Sequence, residues 1–392
     1  MNSATRPYLT TLTPLRGIAA LLVVIFHSNL MLMPFVEPFT KPNLINAGWL
    51  WVDFFFVLSG FIIFYVYGDS FRNTLTATSY WKYIKARFAR VYPLHFFTLL
   101  WCLGCALIIL HYAEGVAPFY QTMFNPFSAI PSLLFLQSLG LYIAAPLNSP
   151  SWSLSTEWWV YMIFPLMVPF FSRLKNVGLI ITLAGVAGFF LFIKYVLGPI
   201  NSFPPGTATL NVLTDFGFFR CLAGFLTGML AFRVYEKSIG ITFFKKSWVF
   251  IAFVTGVLIT MHVGVEDILI VAIFPFIILA AAHNSTTIKK ALETQVLQRL
   301  GDWSFSIYLV HVPIMYIFWI VQVRSNPTLY ANFSPESSGP PDYTMGLWVC
   351  LIVVALTLVV SSITYRYIEV PARSYLNKKF NPKELETVKV VR

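Results

Sequence analysis

The chain has 392 residues, 57% of them hydrophobic and only 11% charged, with a mean hydropathy of +0.72. Soluble domains carry about 25% charged residues, so this composition excludes a soluble globular protein and predicts an all-α, polytopic membrane protein with no separate soluble domain. The net charge of +11 points to no nucleic-acid partner, because positive charge collects in the cytoplasmic loops of membrane proteins.

A membrane-crossing helix needs about 20 apolar residues. Ten segments qualify: 14–34, 48–67, 92–112, 153–172, 177–197, 212–232, 248–264, 267–283, 303–323 and 346–366. The first, LTPLRGIAALLVVIFHSNLML, is read as a retained span and carries Arg16 and His27. Ionisable side chains at membrane depth are costly and mark functional sites by default. Eleven residues along a helix is about three turns, so both fall on one face, roughly 16 Å apart. His27 suits a general base, its unperturbed pKa lying near operating pH; a histidine hydrogen-bonded within the helix bundle is the plainer alternative.

The second segment, GWLWVDFFFVLSGF, holds Asp53 at one end and Ser59 near its centre. Asp53 can orient His27, as the acid does in hydrolase triads, or sit as a carboxylate at a helix N-terminus. The stretch before the third span, WKYIKARFARVYPLH, places Arg87 and Arg90 on one helical face. Such a pair suits a phosphorylated ligand, since guanidinium groups bind phosphate in a bidentate way; an ordinary juxtamembrane basic cluster on anionic lipid is the alternative. Within the third span Cys102 and Cys105 form a CxxC, read as buried apolar residues. The short stretch 131–143 is expected to be re-entrant or interfacial, as buried protein allows.

The fourth span opens on NSPSWSLSTEWWVYMIFP. Ser153, Ser155 and Thr156 can cap this helix, with Glu157 in its first turn. Trp152, Trp158 and Trp159 can form an interfacial belt or stack on sugar rings, with Glu157 accepting hydrogen bonds from hydroxyls. Arg220 lies in FRCLAGFLTG and His311 in GDWSFSIYLVH; each reads equally as a pathway residue or a paired structural group.

Ten crossings put both termini on one side. With that side in the cytoplasm, 22 of the 27 Lys and Arg residues lie inside and only Lys41 and Arg324 outside. The positive-inside rule therefore sets the orientation and treats 131–143 as non-crossing. The expected organisation is a membrane domain over 1–372 and a basic cytoplasmic tail over 373–392. The loop 324–345 is polar and turn-rich.

Taken together, these segments resemble the bacterial membrane acyltransferase-3 family, of the O-acetyltransferase type that modifies surface polysaccharides. The resemblance runs over nearly the whole chain and keeps one order: Arg16 and His27 with ten residues between them, VDFFFVLSGF, the RFAR motif with a following YP, SWSLSTEWW, RCLAGFLTG and WSFSIYLVH. It implies an enzyme of the bacterial inner membrane, with both termini cytoplasmic. Such an enzyme moves an acyl group, acetyl first of all, from cytoplasmic acyl-CoA to a hydroxyl of an extracytoplasmic or lipid-linked glycan. By that likeness Arg16, Arg87 and Arg90 serve the acetyl-CoA end, and His27 is the catalytic histidine. Glu157 belongs to the acceptor site. From the residue patterns rather than the likeness, Asp53 is expected to assist His27, and Trp152, Ser153, Ser155 and Trp158 to line the acceptor side. No metal is expected, and the partners are acyl-CoA, the glycan or glycolipid acceptor and the bilayer. A direct attack on the thioester and a covalent acyl-histidine both remain open. The rival reading is a polysaccharide or lipid-linked sugar exporter, for which the half-chain repeats of such transporters are missing.

Overall fold

A computed structural model describes residues 6–37, 43–112, 123–140, 146–202, 206–213, 215–325 and 342–380. Among them the fold is helical, and the one β-contact is an isolated bridge between Ser202 and Val212. Ten main helices follow in chain order. They are α1 Leu12–Met31, α2 Trp51–Phe71, α3 Ala77–Tyr112, α4 Ser151–Arg173, α5 Asn176–Phe192, α6 Gly217–Glu236, α7 Ser247–Val263, α8 Asp267–His283, α9 Ser304–Ser325 and α10 Tyr343–Thr364. Each of the ten expected segments is thus occupied by a helix.

Seven helical stretches are long and apolar enough to cross a membrane: α1, α2 with its leading turn, α3, α5 with its continuation to Asn201, α6, α9, and α10 continued to Phe380. The α7 and α8 helices are apolar but have only 17 residues each, and α4, with 23, opens on the polar SWSLSTE stretch. The 131–143 stretch contributes a five-residue helix, Ala129–Leu133, followed by turns; residues 141–145 lie outside the described residues, as do most of the 324–345 loop and the tail beyond Phe380.

The bundle is arranged by burial. Helices α2, α6 and α9 bury most of their surface, whereas α5 and α10 leave most of theirs outside. At the centre α2 and α6 touch backbone to backbone. A Cβ on Gly60 would collide with the Phe225 carbonyl, and one on Gly228 with the Val57 carbonyl. Gly224 and Gly228 form a small-xxx-small pair, the pattern that lets membrane helices approach closely where no hydrophobic driving force separates lipid from protein. The same device sets α1 against the short helix Gln295–Asp302, through Gly17 and Gly301.

The α3 helix starts fifteen residues before the expected span and runs unbroken through the basic RFAR stretch and Pro93. Lys and Arg are good helix formers, so the juxtamembrane segment continues the span. That continuation brings Arg87 and Arg90 beside α1, α2 and α4.

Candidate active site

Five helices enclose a cavity of about 170 Å³. Arg16 comes from α1, Ser59 from α2, Arg87 and Arg90 from α3, Ser153, Glu157 and Tyr161 from α4, and Ser304 and Tyr308 from α9; apolar side chains such as Val52, Phe55 and Ile63 form the rest of the wall. Along α2 the lining runs from Val52 to Ile63, a distance of roughly 16 Å. The cavity is therefore a slot along the bundle, cationic at one end and lined by hydroxyls at the other.

The cationic end holds three guanidinium groups with different surroundings. Arg90 forms an ion pair with the buried Glu369, whose second oxygen accepts from Ser306 Oγ at 2.9 Å. Arg87 donates one Nη2 bond to Tyr67 OH at 2.8 Å and lies 4.9 Å over that ring, and its Nε is buried without a partner. Arg16 has no hydrogen bond or ion pair to any other described residue. Two of the three cations are thus short of acceptors inside a cavity, the donor set an anionic phosphate group requires. At the mouth of this end Asp302 faces Arg16 and Arg90, and burial pushes its carboxyl above the usual range against the pull of those cations.

Glu157 stands between the two ends, facing the hydroxyls of Ser59 and Tyr161. Those hydroxyls are 3.0 Å apart. The helix begins at Ser151, so Glu157 is not in its first turn and no serine or threonine side chain caps it. The expected capping serines are used elsewhere. Ser153 Oγ donates to the Pro150 carbonyl at 3.0 Å and meets Tyr308 OH at 2.7 Å, Ser155 Oγ donates to the Phe135 carbonyl at 2.5 Å, and Thr156 bonds the Ser153 carbonyl.

The α1 helix carries His27 three turns beyond Arg16, and α9 carries His311 one turn beyond Tyr308. The two histidines meet there, His311 Nε2 standing 3.1 Å from His27 Nδ1, with ring centroids 5.0 Å apart. His27 does not line the cavity; it lies past Tyr308, whose ring centroid is 6.2 Å from that of His311.

The expected contact between Asp53 and His27 is replaced by another. Asp53 receives a two-pronged bond from Arg220, Nε to Oδ1 at 2.9 Å and Nη2 to Oδ2 at 2.7 Å, and both side chains are fully buried. The planar guanidinium offers donors matched to both carboxylate oxygens, which an imidazole cannot. Arg220 also reaches carbonyls at Trp49 and Val212 and lies between the Trp49 and Trp152 rings, at 4.8 and 5.4 Å. Trp152 and Trp158 are only 7% exposed and pack inside the bundle, Trp158 stacked on Phe135. Neither forms part of the cavity wall, and nor does Ser155; of the acceptor-side residues named from sequence, Ser153 and Glu157 do. Sequence reasoning missed Tyr161, Tyr308 and Glu369. The signal for Glu369 was present, an acid in YRYIEV at the end of an apolar span that requires a cation. Cys102 and Cys105 are buried free thiols.

A family model described as an acyltransferase domain, of the acyltransferase 3 type, matches residues 12–366. The chain belongs to this family. It is 27% identical to the acyltransferase MdmB of Streptomyces mycarofaciens over 95% of this chain and 93% of that protein. It is 25% identical to the O-acetyltransferase OatA of Staphylococcus aureus over 95% of this chain and 58% of that protein. It is 24% identical to the putative peptidoglycan O-acetyltransferase YrhL of Bacillus subtilis over 95% of this chain and 56% of that protein. The chain thus spans little more than half the length of the last two. No solved structure matches it. As a member of the acyltransferase 3 family it is a membrane-embedded O-acyltransferase, and the exporter reading falls away.

Proposed function

We propose that this acyltransferase takes an acyl group, acetyl first of all, from cytoplasmic acyl-CoA and places it on a hydroxyl of an extracytoplasmic or lipid-linked glycan. The observation that carries the reading is the slot with Arg16 and Arg87 short of acceptors at one end and the His27–His311 pair beyond the other. The phosphates of CoA dock on Arg16 and Arg87, with Arg90 held beside them by Glu369. The pantetheine arm follows the slot and brings its thioester towards His27. His27 takes the proton of the acceptor hydroxyl, the oxygen attacks the thioester carbonyl, the C–S bond breaks, and the departing sulfur takes the proton from the imidazolium. The names of the relatives support acetyl transfer and a cell-wall or surface glycan as acceptor. The positive-inside distribution supports an inner-membrane chain of ten crossings with cytoplasmic termini and the arginine end facing the acyl-CoA pool.

The test uses purified protein in vesicles with radiolabelled acetyl-CoA and a surface-polysaccharide extract. Wild-type protein transfers label to glycan and releases CoA, and His27→Ala does neither while still binding acetyl-CoA. Normal transfer by His27→Ala would remove the histidine from the chemistry, and no CoA release by wild type with any acyl donor would remove acyl-CoA as the donor.

A further inference from the structure

Resting on the reading of His27 as the base, we infer that His311 is a positioning residue that fixes the tautomer of His27 and leaves its Nε2 free to take the proton. His27 Nδ1 lies 3.1 Å from the Val23 carbonyl oxygen, and His311 Nδ1 lies 3.2 Å from that of Ile307. A carbonyl oxygen only accepts. Both Nδ1 atoms therefore carry hydrogen, and the Nε2 of a neutral His311 is a bare lone pair. That lone pair stands 3.1 Å from His27 Nδ1, so the His27 Nδ1–H is shared between Val23 and His311. The remaining proton site of His27 is Nε2, which has no hydrogen-bond partner among the described residues.

The opposite tautomer of His27 turns a bare Nδ1 towards two acceptors at once, the Val23 carbonyl and the His311 Nε2 lone pair, and is disfavoured; without His311 only the Val23 carbonyl opposes it. When Nε2 takes the proton of the acceptor hydroxyl, the Nδ1–H of the imidazolium becomes a stronger donor, and the bond to His311 becomes charge-assisted. The role is that of the orienting group in a nucleophile–base–orienter set, filled by an imidazole while the carboxylate expected there from sequence, Asp53, is held by Arg220. The placement explains why a polar side chain sits fully buried on α9, on the turn after Tyr308.

The experiment compares full-length wild type, His311→Phe and His311→Gln in vesicles. His311→Phe keeps the bulk and removes the acceptor; His311→Gln puts an amide oxygen near the position of Nε2. His311→Phe lowers kcat by about tenfold to a hundredfold, the size of effect known for losing the group that orients a metal-bound histidine, with an unchanged KM for acetyl-CoA; His311→Gln recovers most of it. In ¹⁵N spectra of histidine-labelled protein, which has six histidines, His27 shows a protonated Nδ1 and a bare Nε2 in wild type and a mixture in His311→Phe. Equal kcat in all three proteins, equal impairment of the Phe and Gln variants, or a protonated His27 Nε2 in wild type would each overturn the inference. Because the spectra do not depend on turnover, a correct tautomer with no His27-dependent transfer would sink the proposed reaction while leaving the hydrogen-bonded pair in place.

Discussion

The protein holds two kinds of arginine inside its helix bundle. Arg220 is fully buried and fully answered: Asp53 takes two of its donors, backbone carbonyls take more, and two tryptophan rings cover its faces. Arg16 and Arg87 sit in a cavity, one without a hydrogen-bonded partner and the other with a buried Nε left over. A charge in a membrane bundle costs several kcal/mol to bury and must be compensated. Where the protein supplies the whole compensation, the charge holds helices together. Where it does not, a ligand supplies it. A vacant donor alone does not mark a site, since Arg72 and Arg233 also keep a buried, unpartnered Nε while paired with Glu236; vacant donors that line a cavity do.

The sharpest way to break this comparison is to remove one partner of the satisfied pair. Asp53→Leu leaves Arg220 as an uncompensated buried cation and is expected to cost about 3–5 kcal/mol of stability, read as a large drop in the thermal midpoint of the detergent-solubilised protein. Arg220→Leu does the same from the other side. A variant of either kind with wild-type stability and lost transfer would move this pair from structure to chemistry.

Removing a vacant cation is expected to do the reverse. Arg87→Ala keeps the thermal midpoint and weakens acyl-CoA binding by about tenfold to a hundredfold, the worth of about 1.5–3 kcal/mol for a hydrogen bond to a charged group. The check is the KM for acetyl-CoA together with direct binding. An unchanged affinity would take Arg87 out of the donor site. Glu157, the carboxylate of the cavity that no arginine clamps, extends the contrast: Glu157→Gln is expected to leave folding intact and lower kcat by about tenfold, as the loss of one charge-assisted hydrogen bond does. A fall in the thermal midpoint with normal turnover would class it with Asp53 instead.

Much of this was legible in the sequence because membrane burial writes itself as apolar length. All ten expected segments carry helices, and Arg16, Arg87, Arg90, Ser153 and Glu157 come together from three separate segments into one cavity. What was not legible is who pairs with whom. Asp53 and Arg220 are 167 positions apart, and Arg90 meets Glu369 from 279 positions away. Helical periodicity fixes which face a residue is on, but the contact is made by packing, which α2 and α6 settle through Gly60 and Gly228. The rule that a buried charge needs an opposite charge was available, and it predicts that Asp53, Arg220 and Glu369 each have a partner. Choosing a guanidinium over an imidazole for Asp53 required only the count of donors. The tryptophans of SWSLSTEWW were open to two readings for a related reason. Aromatics at a membrane interface and aromatics packed in a bundle have the same composition, and Trp152 and Trp158 belong to the second.

Asp302 gives the finest test, because it belongs to neither class. It is an exposed residue beside the cationic end, where Arg16 and Arg90 pull its carboxyl down and partial desolvation, the larger effect, pushes it up. A carboxyl with a folded-state pKa raised above its unfolded value binds its proton more tightly when folded. Stability therefore falls as pH rises from the unfolded pKa of Asp302 through its folded one, and at neutral pH the charged form is a small cost. Asp302→Asn removes that cost, so its thermal midpoint is equal to or slightly above that of wild type at neutral pH, and the difference closes in acid. The same substitution takes a negative charge from beside the two arginines and strengthens acyl-CoA binding by up to about fivefold, the range of a partly exposed ion pair, an effect that fades as salt is added. Weaker binding by Asp302→Asn would mean that Asp302 orients Arg16 towards the phosphates, and that this cation, too, is answered by the protein.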